Sequence, residues 1–197
     1  MLIIIHSTTQ FLAHGFYKTT MDQLASGLKI SKKTIYKFFP SKLLLLEKVV
    51  EKFENKIKND LEKIVDSDEC LIVKFKNLGS YFAKFSLKVN GKFISDFFNH
   101  QPELWKRIDT FRTDVINNVW GALITEGKKE GLIIDVSNPV ILIIVQSAIR
   151  GIINPKFLEE NNQSPNQAFE QMFTILMNGI LTENGKIEFE KQEWKEK

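Results

Sequence analysis

The chain has 197 residues, 43% of them hydrophobic and 26% charged, with a net charge of +3. That length bounds it at one or two domains with apolar side chains enough for a sizeable core. Its single cysteine, Cys70, excludes an intramolecular disulfide and suits a reducing compartment. The longest apolar stretch, 140–153, contains Gln146 and Arg150 and is too short to span a bilayer. The opening Leu2-Ile3-Ile4-Ile5 run lacks the charged region of a signal peptide. A cytoplasmic protein with no membrane association is expected.

The charge is unevenly placed. Residues 1–42 hold six lysines (18, 29, 32, 33, 37 and 42) and one acid, Asp22, for a net +5. The remainder therefore sums to −2 against a whole-chain +3. A basic head on a mildly acidic body is the footprint of a polyanion-binding protein, or else a solvated lysine-rich face.

In chain order, a first helix carries His6, Phe11 and His14. Thr19 or Thr20 then caps a second helix by accepting a bond from a free first-turn amide. In that helix Met21, Leu24, Ala25 and Leu28 form one apolar stripe. Ile30 continues the core contact across a tight turn, and Ser31 caps a third helix. There Ile35 and either Phe38 or Phe39 point inward. Lys32, Lys33, Tyr36 and Lys37 are left outside, with Thr34 in the first turn. Pro40 stops this helix, since it has no amide donor and restricts Phe39. Ser41 caps the next, and Lys42 lies in its first turn. A cation there opposes the helix macrodipole, so a phosphate is the expected partner of Lys42. Two short helices, a tight turn and a Lys-and-Tyr face are what major-groove docking on duplex DNA requires.

These residues resemble a known family. Phe11, Gly15-Phe16, Thr19-Thr20, Leu24-Ala25, Ile30-Ser31, Thr34-Ile35-Tyr36, Phe39 and Ser41-Lys42 are similar to the N-terminal signature of the TetR family of bacterial transcriptional regulators. The resemblance is close over about the first 50 residues and looser beyond. It implies an all-α fold, with a three-helix DNA-binding domain containing a helix-turn-helix (1–46) and a larger helical ligand-binding and dimerisation domain (47–197). It also implies that Lys32, Lys33, Thr34, Tyr36 and Lys37 face DNA, with Thr20 and Lys42 as backbone anchors. Thr19, Ser31 and Ser41 complete the expected DNA-binding set. Three departures stand out. Lys29 occupies a turn position where the family usually has Gly, and a positive φ there costs Lys about 1 kcal/mol. Lys33 replaces a small residue. No basic arm precedes the first helix.

The rest reads as helices, with no competing strand pattern. A long helix runs from Ser41 to about Val65, with apolar residues at 46, 49, 50, 53, 57, 61 and 64. Asp66 to Asp68 is a break. The next helix, Cys70 to about Val89, carries Phe75, Leu78, Phe82 and Phe85. Asn90-Gly91 is a turn before a short helix over 93–98. Pro102 opens another long helix, which ends near Glu130 before Gly131. Asn138-Pro139 begins a helix to about Ile153. Ser164-Pro165-Asn166-Gln167 is a capping box opening a helix to about Leu181. The charged end, 186–197, is either a short added helix or a frayed tail.

The last two long helices are apolar on more than one face and must be buried. Ile144, Ala148, Ile152, Phe169, Met172, Phe173, Leu176 and Ile180 are the expected interface of a two-fold dimer, the four-helix contact the resemblance implies. The alternative is that both faces are used inside one subunit. Phe82, Phe85, Phe97, Phe98, Trp105, Phe111 and Trp120, with polar contacts from Arg112, Asn117 or Gln146, could wall a pocket for a small apolar or aromatic effector, or simply pack as core. Catalysis has no support: His6, His14 and His100 are scattered, and no metal-ligand spacing or phosphate-cradling loop exists. No cofactor is expected. The reading is a regulator, most simply a repressor, that binds a palindromic DNA operator as a homodimer and is released by a small molecule. The alternative is a regulator of the same fold controlled by a protein partner or by no ligand.

Overall fold

The computed structural model describes residues 2–89 and 91–192, without the Lys92 side chain. Among these the chain forms twelve α-helices and one π-helical turn, with no strand.

The head is built from three short helices and the start of a fourth. Helix α1 (Leu2–His14) buries Phe11, and Gly15 follows at φ +84°, a left-handed conformation that favours glycine. Helix α2 (Met21–Gly27) is capped by Thr20, whose hydroxyl accepts the Gln23 amide while Gln23 Oε1 accepts the Thr20 amide. The turn to α3 (Lys32–Phe38) passes through Lys29 at φ +55°, so the lysine does sit where glycine is favoured. Helix α4 (Lys42–Val65) starts at Ser41, whose hydroxyl accepts the Leu44 amide, and it runs unbroken from head into body.

The body continues with α5 (Leu71–Lys88), α6 (Gly91–His100) and α7 (Pro102–Val115). A π-helical turn over Ile116–Trp120 follows, then α8 (Gly121–Lys129). The single long helix expected here is therefore interrupted by one wide turn, for which nothing in the residue pattern gives a signal. Gly131 ends α8 at φ +69°. Helix α9 (Asn138–Ile152), α10 (Pro155–Glu160) and α11 (Pro165–Ile180) follow, the last opened by the expected Ser164–Gln167 capping box. Helix α10 was not expected, although Asn154 and Pro155 are ordinary N-cap and first-turn residues. The charged end forms α12 (Glu183–Lys191) against α5, with the Lys76 ammonium over the Phe189 ring and bonded to the Gln192 carbonyl. Asn90 of the expected turn and residues 193–197 of the charged end lie outside the described residues.

Two cores hold these elements. One joins α4, α5, the π turn, α8, α9 and α11 around Phe75, Leu78, Trp120, Leu123, Ile124 and Phe173. The other packs Phe11, Leu24 and Ile35 of the head against Leu45, Val49 and Val50 of α4 and against Phe93, Phe97 and Leu104 of the body. The head is thus seated on α6 and α7 as well as attached through α4.

Candidate DNA interface and internal cavity

Helix α3 presents its polar chemistry outward because Ile35, fully buried, anchors its other side. Ser31, Lys32, Lys33, Tyr36 and Lys37 are all exposed. Tyr36 keeps 40% of its surface and Phe38, at the end of the same helix, 67%. Phe39 is the inward-turned member of the Phe38/Phe39 pair. Ser31 accepts the Thr34 amide, and the two hydroxyls lie 2.8 Å apart. Lys32 is paired with Asp22 of α2 at 2.8 Å, and that hydrogen bond raises its pKa. Thr20 is exposed beside the α2 amides. Lys33 and Lys37 form no ion pair among the described residues.

Two of the expected DNA-facing residues have other employment. Thr19 is 2% exposed, and its hydroxyl donates to the Gly15 carbonyl at 2.7 Å, so it closes the α1–α2 loop instead of meeting a phosphate. Lys42 lies partly buried over the Phe16 ring, 4.4 Å from its centroid, and donates to the carbonyls of Thr19 at 2.8 Å and Tyr17 at 3.2 Å. Burial pushes its pKa down, partly offset by Asp96. A cation in the first turn of α4 opposes the macrodipole, and the carbonyls that hold it belong to the preceding loop, out of reach of local sequence.

The same loop meets α6. The Tyr17 amide donates to Asp96 Oδ2 at 2.9 Å, and the Tyr17 ring stacks on His100 at 4.4 Å. A Cβ on Gly15 would fall 2.5 Å from Asp96 Oδ2, so a glycine there serves both the backbone turn and the approach of the carboxylate. Phe93 and Phe97 lie on the same stripe of α6 as Asp96 and His100, and with Ile94 they are buried. One helix therefore meets both the head and the body's interior.

That interior contains a cavity of about 220 Å³, between α4, α5, α6, α7 and the π turn. Phe82, Phe85, Phe97, Trp105, Phe111, Arg112 and Trp120 all line it, so the structure gathers six of the aromatic candidates and one cation at one place, while Phe98 is 45% exposed and outside the wall. Phe53, Phe93, Ile108, Ile116 and Phe169 complete most of the apolar wall, and Glu54 and Ser86 add polar atoms. Glu54 is bound by the Arg107 guanidinium. Gln146 and Asn117, other polar candidates, instead bond each other at 2.8 Å outside the cavity.

The expected dimer residues are largely placed elsewhere. Phe169, Met172, Phe173, Leu176 and Ile180 are all 8% exposed or less and belong to the subunit's own core. Ala148 and Ile152 are half-buried against the same core. The reason is the contact of α11 with α5: Gly79 lets the Phe173 ring come so close that an added Cβ would lie 2.8 Å from it. Of the expected set only Ile144 is exposed, at 51%. The outward faces of α9 and α11 carry instead Val140, Ile143 and Ile144, and Ile175 at 72% exposure. Sequence reasoning missed Val140, Ile143 and Ile175, which share the apolar pattern of the core residues.

Among the described residues no group of three or more His, Cys, Asp or Glu is arranged to hold a metal ion, and no helix is long and apolar enough to cross a membrane.

Residues 4–49 match the family of bacterial regulatory proteins, tetR family. The chain is 24% identical over 185 residues to an uncharacterized HTH-type transcriptional regulator, YvaF, of Bacillus subtilis (strain 168), covering 91% of this chain and 95% of that one. Its fold is similar to that of a transcriptional regulator from Cytophaga hutchinsonii, with a TM-score of 0.67, 22% identity and coverage of 92% and 97% of the two chains. It is also similar to SmeT in the SmeT–triclosan complex, with a TM-score of 0.66, 13% identity and coverage of 93% and 91%. Residues 4–49 therefore match the DNA-binding region of the tetR family of bacterial regulatory proteins, and over nearly its whole length the chain is similar in fold to solved transcriptional regulators.

Proposed function

We propose that the chain is a cytoplasmic repressor that binds a palindromic operator as a homodimer and lets go when a small, largely apolar effector fills the body. In this reading residues 1–46 are the DNA-binding part and 47–197 the sensing and pairing part, coupled through α4 and α6. Lys33, Tyr36 and Lys37 enter the major groove from α3, with Lys32 freed from Asp22 as it meets the duplex. Thr20, Ser31, Thr34 and Ser41 lie near the backbone. Lys42 acts through the loop it pins.

The single observation that carries the effector half is the cavity, whose position explains how filling it would be felt. Phe93, Ile94 and Phe97 of α6 line it, while Asp96 and His100 of the same helix hold the Gly15–Tyr17 loop. A displaced α6 moves its cavity-lining rings and its hold on the Gly15–Tyr17 loop together, which changes the separation of two heads in a dimer. The structurally similar SmeT was solved in complex with triclosan, which is a small aromatic molecule. A same-fold regulator without an effector leaves this cavity without a role.

The outward stripe Val140, Ile143, Ile144 and Ile175 supports pairing with a second copy. Large exposed aliphatic side chains on two helices that pack together are unfavourable in water and suit an interface. A two-fold axis through the patch would use the same residues on both subunits.

Fluorescence anisotropy with selected duplexes tests the proposal. Wild type is expected to bind with an affinity that falls steeply with salt. Lys33→Ala should alter sequence preference, and Lys37→Ala should weaken all duplexes and reduce the salt slope by about one unit. Unchanged preference in Lys33→Ala would remove that residue from base contact. Salt-independent binding would overturn the proposal.

A further inference from the structure

The cavity is not uniformly apolar: one cation faces into it with its charge poorly met. Arg112 lines the cavity with 19% of its side-chain surface exposed. Its nearest carboxylate, Asp109, is 3.8 Å from Nη1, too far for a hydrogen bond. Asp109 is already engaged by Arg150, whose Nε donates to it at 3.1 Å and whose Nη2 lies 3.0 Å away. Among the described residues the Arg112 guanidinium forms no hydrogen bond, and its other contact is the Trp105 ring at 5.5 Å. The only other charged group on the wall, Glu54, is neutralised by Arg107. Two arginines, Arg112 and Arg150, thus share one aspartate, and the local sum is +1.

Burial acts on Arg112 in the same sense. Desolvation is the largest influence on it and lowers its pKa, Asp109 raises it, and Arg150 lowers it further. A guanidinium stays charged in proteins, so the desolvation is met by an anion or is left unmet.

We infer that the effector is a monoanionic amphiphile, an aryl- or alkyl-carboxylate whose apolar part fills the cavity among Phe82, Phe85, Phe97, Phe111 and Trp120 and whose carboxylate meets the Arg112 guanidinium. This rests on the effector reading proposed above and narrows it. The planar fork of Arg112 matches a carboxylate's two oxygens, a pairing stronger than any the cavity offers a neutral ligand. Size sets the scale: a cavity of about 150 Å³ holds benzene, so about 220 Å³ suits a ligand of roughly nine to twelve non-hydrogen atoms. A carboxylate on such a skeleton is ionised at neutral pH.

Two matched series test this by calorimetry and thermal shift on the full chain: 4-phenylbutyrate, 4-phenylbutanol and 4-phenylbutylamine, and decanoate, decanol and decylamine. In at least one series the carboxylate is expected to bind about tenfold or more tighter than the alcohol, and the amine weakest. Arg112→Gln should bring carboxylate and alcohol together by weakening the carboxylate alone. Should that variant fail to fold, the wild-type ranking decides, with Arg112→Lys expected to keep only part of the preference. Alcohols binding as well as carboxylates in both series, or a preference that survives Arg112→Gln, would overturn the inference and leave an apolar effector intact. Silence toward all six compounds, and toward the apolar dye N-phenyl-1-naphthylamine, would sink the effector reading itself along with it.

Discussion

Helices α2 and α3 of the head are seven residues each, too short to persist alone, and they owe their ends to Thr20 and Ser31. Helices α5 and α11 of the body are 18 and 16 residues long and owe their place to Phe75, Leu78, Phe173 and Leu176, packed face to face. The head turns its chemistry outward, with lysines and Tyr36 standing on a thin buried seam. The body turns its chemistry inward, toward Arg112 and a ring of aromatic side chains. Capping and charge are local and survive on a surface; a cavity exists only where several distant segments agree. The second core, which runs from Phe11 to Phe97, binds the two kinds of structure together.

The sharpest way to break that comparison is to cut the shared core. Phe11 is fully buried where head meets body. Phe11→Ala should cost about 3–5 kcal/mol in urea unfolding. If head and body are one cooperative unit, tryptophan fluorescence, which reports only the body, will follow the same shifted transition. A body transition left at its wild-type midpoint would mean that the two parts melt separately.

Next in size is the outer face of the body. Ile175 is 72% exposed and touches little of its own subunit. Ile175→Glu should leave the fold intact and turn a dimer into a monomer in light scattering. Operator affinity should fall about 100-fold, which corresponds to roughly 2.7 kcal/mol. An unchanged mass would move the interface elsewhere.

The head offers a smaller effect of opposite sign. Lys29 sits at φ +55°, so Lys29→Gly should stabilise by about 1 kcal/mol, read as a higher urea midpoint at unchanged slope. A loss instead would show that the Lys29 side chain has a favourable contact that outweighs the backbone strain.

Smallest is Asp60 on α4, held by Lys56 at 2.7 Å, with Tyr81 also bonded to it. The Lys56 bond lowers its pKa, so its contribution is present above the unfolded value near 4 and is lost as pH falls through the folded one. Asp60→Asn should cost about 0.5 kcal/mol at pH 7 and close to nothing at pH 2.

How far the residues alone reach follows the same division. Thr20, Ser31, Ser41 and Ser164 were legible as caps, because a cap and its amide lie three residues apart. The outward set on α3 was legible because Pro40 and Ile35 fix its length and its inner face. Six wall residues of the cavity were legible as aromatic density on neighbouring helices, though the Arg112–Asp109–Arg150 arrangement was not, since its members lie up to 41 residues apart. Lys42 was legible as unusual, but the Tyr17 and Thr19 carbonyls that it meets lie more than twenty residues away, and Thr19 could not be told from Thr20 by composition. The residues expected to pair two copies lie largely inside the subunit for a plain reason. Both helices are apolar on two sides, and periodicity cannot say which side faces α5 and which faces out.

Selection of binding sites from a pool of random duplexes, followed by footprinting, reads paired groove recognition itself. One two-fold-symmetric site is expected, with halves about 34–36 Å apart, lost when Lys33, Tyr36 and Lys37 are all changed to Ala. Enrichment of asymmetric single sites, or selection unaltered by that triple substitution, would contradict it.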